Sequence, residues 1–150
     1  MYPIFLATHN IIRWVALILI IVAVVRAYLG WFGKREWTQR DRKIGSYTAM
    51  AFDIQLLLGL ILYFVYSPLV KTALQDFGAA MQVADLRFFA VEHAVYMVLA
   101  VVFAHLGSIL PRKAEYSEGK HKRAAVFFTL ALLVVLLGMP WLRPLLPGLG

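Results

Sequence analysis

The chain has 150 residues, enough for a single domain spanning 1–150, and 62% of them are hydrophobic, with a mean hydropathy of +0.76. Soluble domains are close to half apolar, so this chain cannot cover itself with polar surface in water, and the expected solvent is the lipid bilayer. The net charge of +7 sits mostly in two short loops, which points to membrane topology and anionic headgroups and not to nucleic acid; having no cysteine, the chain cannot carry disulfides, Cys-ligated zinc, iron–sulfur clusters or covalently attached c-type haem.

Met1–Thr8 has neither a charged leader nor a small-residue cleavage site, so no removable signal peptide is expected and the first helix should direct insertion. Four apolar runs follow, at about 4–29, 47–66, 88–110 and 124–142. Each is near the ~20 residues a helix needs to cross ~30 Å of hydrocarbon. Ser67-Pro68, Pro111 and Pro140 close the second, third and fourth runs, because proline lacks the amide hydrogen a continuing helix needs.

The first connection carries Lys34, Arg35, Arg40, Arg42 and Lys43, and the third carries Arg112, Lys113, Lys120, Lys122 and Arg123. The second carries only Lys71 and Arg87, beside Asp76 and Asp85. Basic loops stay in the cytoplasm, so the first and third connections are expected there and both termini on the outer, periplasmic side of a bacterial inner membrane. Within the second connection Leu69, Val70, Ala73, Leu74, Phe77, Ala80, Met81 and Ala84 recur at helical spacing among polar residues. That pattern predicts a short amphipathic interfacial helix between helices 2 and 3, a lid over the bundle or a docking surface for a partner. The expected fold class is an all-α membrane protein, a four-transmembrane-helix bundle with this one surface helix.

Ionisable residues within hydrocarbon are expensive and need a partner or a function. His9, Arg13, Asp53, Glu92, His93 and His105 qualify. His9 and His93 each lie ~5 residues inside the outer end of their run, ~7 Å deep at 1.5 Å per residue. The first and third helices run in the same direction, so these imidazoles can face each other across the bundle. Two neutral nitrogen donors at one depth in an apolar core are what the axial ligands of a b-type haem require. Arg13, one turn after His9, could meet a haem propionate or the carboxylate of Glu92. Two other readings stay open: an Arg13–Glu92 pair with the histidines as interhelical hydrogen-bonders, and a His/Glu non-haem metal site.

His105 lies twelve residues after His93, ~18 Å along the axis and rotated by ~120°. A second haem is the less favoured reading, because the one remaining histidine, His121, sits in Lys120-His121-Lys122-Arg123 and reads as part of a solvated surface cluster. Asp53 is at the depth of His105, either as its hydrogen-bond partner or as half of a titratable pair at a quinone site. Gly59, Gly107 and Gly138 read as close-packing points between helices.

His9-Asn10-Ile11-Ile12-Arg13-Trp14, Leu29-Gly30-Trp31-Phe32-Gly33-Lys34, Ile54-Gln55-Leu56-Leu57-Leu58-Gly59-Leu60, Leu86-Arg87-Phe88-Phe89-Ala90-Val91-Glu92-His93 and Gly138-Met139-Pro140-Trp141 resemble a family of small bacterial four-helix membrane proteins often labelled "cytochrome B". The resemblance covers nearly the whole chain and implies haem-linked electron transfer. The chain departs from that pattern at Asp53, where the family often has histidine, and at His105, often apolar there. The departure leaves His9, Arg13, Glu92 and His93 as the constellation of interest. The expectation is one haem b held by His9 and His93. The protein would carry single electrons between the quinol pool or a membrane dehydrogenase and an outer-side acceptor. It would act as an electron-transfer protein or a subunit of a respiratory or photosynthetic complex in preference to a stand-alone enzyme, with a membrane enzyme using a His/Glu metal site as a third reading. Quinone, other membrane redox subunits, a periplasmic electron carrier and a second copy of the chain are the candidate partners, and a haem-free structural subunit is the rival reading.

Overall fold

The computed structural model describes residues 1–141; Leu142, expected to end the fourth span, and Arg143 lie outside the described residues. The elements in chain order are α1 (Tyr2–Phe32), α2 (Gln39–Ile61) with a π-helical turn at Leu62–Tyr66, three short helices α3 (Pro68–Gln75), α4 (Phe77–Ala80) and α5 (Ala84–Arg87), a second π-helical turn at Phe88–Glu92, α6 (His93–Ile109) with a 3-10 turn at Leu110–Lys113, and α7 (Ser117–Gly138). No strand forms among the described residues. Four helical stretches, Tyr2–Phe32, Gln39–Tyr66, Ala84–Lys113 and Ser117–Gly138, are long and apolar enough to cross a membrane.

The helices overrun the apolar runs at their charged ends because local polar contacts hold them there. The last turn of α1 closes through Lys34, whose φ of 49° lies in the left-handed region, and the chain folds back so that the Arg35 amide donates to the Gly30 carbonyl at 2.9 Å. Helix α2 starts at Gln39 because Asp41 reaches back to accept from the amide and hydroxyl of Thr38, at 2.8 and 2.6 Å. Its other oxygen accepts from Nε and Nη2 of Arg26, which ties the new helix to α1. Pro111 does not end the third stretch outright. It occupies the first turn of the 3-10 segment, where its missing amide hydrogen costs nothing.

Helix α1 packs on α2 and α7, and α6 packs on the same two, so α1 and α6 stand diagonally opposed. The interior is built from small side chains: Ala16, Ala23, Ala27, Ala100, Ala104, Ala124, Ala125 and Ala131 are all buried. Small residues let helix backbones approach closely, the usual packing device of membrane helices. Phe128 is a bulky exception, with Ile20 and Phe52, and lodges where Gly107 leaves room, since a Cβ there would come within 2.8 Å of its ring. Outward, the bundle is apolar, with Ile4, Ile11, Ile18, Val25, Leu57, Leu133 and Leu137 exposed. No more than 39% of the most apolar stretch of any of the four helices is buried inside the bundle.

The segment between α2 and α6 is folded into α3, α4 and α5 and not into one helix. Ser67 Oγ accepts from the Val70 amide to start α3, and Asp76 Oδ1 accepts from the Ala79 amide to start α4. Val70, Ala73 and Ala80 are buried, the two alanines packing with Ala90, while Leu74, Phe77 and Val83 are exposed.

Candidate cofactor-binding site

The two π turns meet beside the site. A π turn widens the helix and releases a carbonyl from its usual partner. The hydroxyl of Tyr63, in the first π turn, donates to the carbonyl of Ala90, in the second, at 2.7 Å. This bond fixes the start of α6, whose first residue is His93. The His93 ring lies beside those of Phe88 and Phe89, with centroids at 5.8 and 6.0 Å, and its Nδ1 is 2.7 Å from the carbonyl of Gly138 at the end of α7. A carbonyl only accepts, so Nδ1 carries the proton and Nε2 keeps the lone pair. That is the arrangement of a histidine prepared as a metal ligand, with its other nitrogen held by a backbone acceptor.

His9, on the diagonal helix, is held from α2. The side-chain amide nitrogen of Gln55 lies 3.1 Å from His9 Nε2 and donates to the His9 carbonyl at 3.1 Å. Nε2 is then the acceptor and Nδ1 carries the proton, buried and without a hydrogen-bond partner among the described residues. Gly59, one turn on from Gln55, gives the ring its space: a Cβ there would lie 3.4 Å from His9 Cε1. His9 and His93 are within electrostatic reach of each other, and Arg13 of both.

Glu92 does not join this group. Its carboxylate pairs with Arg87 at 2.8 Å, with both side chains well exposed. The π turn is the cause, because it stacks residues five apart on one face. Of the readings left open for Arg13, the pair with Glu92 is therefore the one that does not form, the carboxylate being taken by Arg87. Arg13 is buried, with its guanidinium 5.9 Å from the centre of the Trp14 ring. No three His, Asp or Glu side chains among the described residues gather within reach of one ion, so a His/Glu metal site would have at most two such ligands.

His105 Nε2 lies 2.8 Å from Asp53 Oδ1, so the two residues that share a depth do meet. Gln55, two residues from Asp53, turns the other way, because two helical residues differ by ~200° around the axis. His121 departs from expectation. It is not solvated but 2% exposed, pressed against Gly30, with the Trp37 ring edge-on at 4.9 Å. Helix α7 starts at Ser117, early enough to turn His121 toward α1 while Lys122 rests over Trp31 at 5.7 Å.

The donor set fits two axial imidazoles. Both rings are neutral donors with Nε2 as the lone-pair nitrogen, on diagonal helices at the same end of the bundle. A ligand at His9 Nε2 would have to displace Gln55, which now bonds there. Sequence reasoning missed Tyr63, Gly138 and Arg87, none of which carries a periodic signal of its own. Compared with known proteins, the chain matches no family model, no curated protein and no solved structure.

Proposed function

We propose that the chain is a multi-pass bacterial inner-membrane protein that holds one haem b between His9 and His93 and passes single electrons between the quinol pool or a membrane dehydrogenase and an outer-side acceptor. The bonding of His93 carries this reading: Nδ1 tied to the Gly138 carbonyl, Nε2 left as a lone-pair donor. The haem, when bound, supplies the one-electron chemistry. The protein's part is to hold two imidazoles from diagonal helices, exclude water with Phe88 and Phe89, and keep Arg13 nearby as a buried positive charge suited to a propionate.

Membrane insertion is supported by the four apolar stretches and their outward-facing Ile, Leu and Val side chains, which water would solvate poorly. Basic residues at the α1–α2 and α6–α7 connections favour a cytoplasmic side there. Helices α3 to α5 would then lie at the outer interface, Leu74 and Phe77 toward lipid and Val70 and Ala73 toward the bundle.

A second reading has its own observation. Gln55 bonds twice to His9, which is what a haem-free structural subunit would use to lock α1 to α2. Oxidised and dithionite-reduced spectra of protein produced under haem-replete conditions separate the two. Bis-imidazole ligation gives a low-spin spectrum that His9→Ala and His93→Ala each convert to high spin or abolish. Wild-type protein without stoichiometric haem would leave the structural reading standing.

A further inference from the structure

The His105–Asp53 bond spans the seam between α6 and α2, and both side chains stand at the outer surface of the bundle, 40% and 46% exposed. Their neighbours one turn away on that surface are exposed and apolar: Met50 and Leu57 on α2, Val102 and Ile109 on α6. Arg112 lies seven residues beyond His105, and Lys43 ten residues before Asp53. The pair therefore sits ~10–15 Å inside the basic end of the bundle at 1.5 Å per residue. Neither short side chain can reach that far to water or to headgroups. On the membrane reading above, a polar pair faces lipid tails.

Such a pair is tolerated only when it is neutral and its polar atoms are bonded. The bond between them is the one hydrogen bond that either side chain makes among the described residues, which leaves His105 Nδ1 and Asp53 Oδ2 open. A neutral pair holds two protons. One lies between Nε2 and Oδ1, on either atom, and the other is on Nδ1. The pair then offers one donor, Nδ1–H, beside one acceptor, Oδ2, and lipid tails satisfy neither. A donor next to an acceptor is self-complementary under a two-fold rotation, because each copy's donor meets the other's acceptor. A second copy of the chain inserts the same way round, so a two-fold axis along the membrane normal brings its pair to the same depth.

We propose that the α2–α6 face is the interface of a parallel two-fold dimer, in which His105 Nδ1–H of each copy donates to the Asp53 carboxyl of the other. The two bonds within copies and the two between them close a ring of four, and the aliphatic side chains around it pack against each other. Lipid is as apolar as these side chains, so the hydrogen bonds decide which faces associate. Arg112 lies on the same seam, held by Ser46 and Ser108, but it is exposed at the aqueous end, where salt screens repulsion between copies. The proposal rests on the membrane reading and not on haem binding.

The chain has no cysteine, so Glu115→Cys, at an exposed position in the α6–α7 connection, gives a single labelling site. Full-length chains carrying donor or acceptor dyes there are reconstituted together in phosphatidylcholine liposomes, and energy transfer is followed as lipid is added. Transfer should rise with the protein-to-lipid ratio and saturate at the value for a dimer. Asp53→Ala and His105→Ala should each weaken association about ten-fold, the scale of two hydrogen bonds between membrane helices. Leu133→Ala, exposed on α7, should change it less than about two-fold. Asp53→Ala chains mixed with His105→Ala chains should bind each other more tightly than either binds itself, because only the mixture restores a bond between copies. Val102→Trp leaves the pair intact and should hold two such faces apart; it decides the matter if the substitutions at the pair prevent folding. A wild type that stays monomeric would overturn the proposal and leave the open atoms to a bilayer-soluble hydroxyl compound or an unlike subunit. Association unchanged by the seam substitutions, or a mixture no tighter than its components, would overturn it too. A chain that alkaline carbonate strips from membranes without detergent would overturn the membrane reading itself, a result separate from the energy-transfer measurement.

Discussion

The imidazole of His121 fills the space that a side chain on Gly30 would need: a Cβ built there falls on ring atoms Cε1 and Nδ1. The contact locks α7 to α1 at the basic end of the bundle. Gly30→Ala should therefore cost about 1–3 kcal/mol through overpacking, since the ring cannot retreat past Trp37 without moving α7. His121→Ala in the same chain should relieve much of that cost. Unfolding of the two single variants and the double variant in detergent measures the coupling, expected at about 0.5–3 kcal/mol. Additive costs would show that the ring and the glycine do not interlock.

This contact also marks where sequence reading stops. The four long helices were legible because twenty apolar residues in a row have few other fates, and the matched depth of His9 and His93 followed from counting residues. Facing was harder. Whether a side chain turns to one neighbour or another depends on where its helix begins, and α7 begins at Ser117, among charged residues that carry no apolar signal. That start turns His121 inward. The Glu92 partner was missed because the π turn at Phe88–Glu92 changes the spacing rule from three or four residues to five. The shared depth of His105 and Asp53 was legible and left their pairing as one of two readings; the facing of α2 and α6 brings them together.

Glu92 and Arg87 are each well exposed, so their pair should be weak. A double-mutant cycle of Arg87→Ala and Glu92→Ala is expected to give a coupling below about 1 kcal/mol. A cycle of Arg13→Ala with Glu92→Gln should give none, because the Glu92 carboxylate is committed to Arg87. Strong coupling in the second cycle would restore a buried Arg13–Glu92 pair.

Gln55→Leu removes both bonds to His9, from a site where little water can replace them. Stability should fall by about 1–2 kcal/mol, the scale of two neutral hydrogen bonds after partial relaxation. Haem retention should not fall, because the substitution frees the lone pair on Nε2. Reduced spectra and chemical unfolding of the same preparation check both halves. Loss of haem in this variant would mean that Gln55 orients the ring for ligation and does not compete with the iron.

Charge placement makes the topology testable without reference to haem. Lys34, Arg35, Arg40, Arg42 and Lys43 cluster at the α1–α2 connection, and Arg112, Lys113, Lys120, Lys122 and Arg123 at the α6–α7 connection, while the segment holding α3 to α5 has only Lys71 and Arg87. Moving such clusters across a membrane is disfavoured, so both basic connections should stay on one side. A reporter active only in the cytoplasm should work when fused after Arg40 or Ser117 and fail when fused after Gln75. Activity after Gln75 would put the π turns and His93 at the cytoplasmic end. That result would reverse the side on which the proposed haem meets its acceptor.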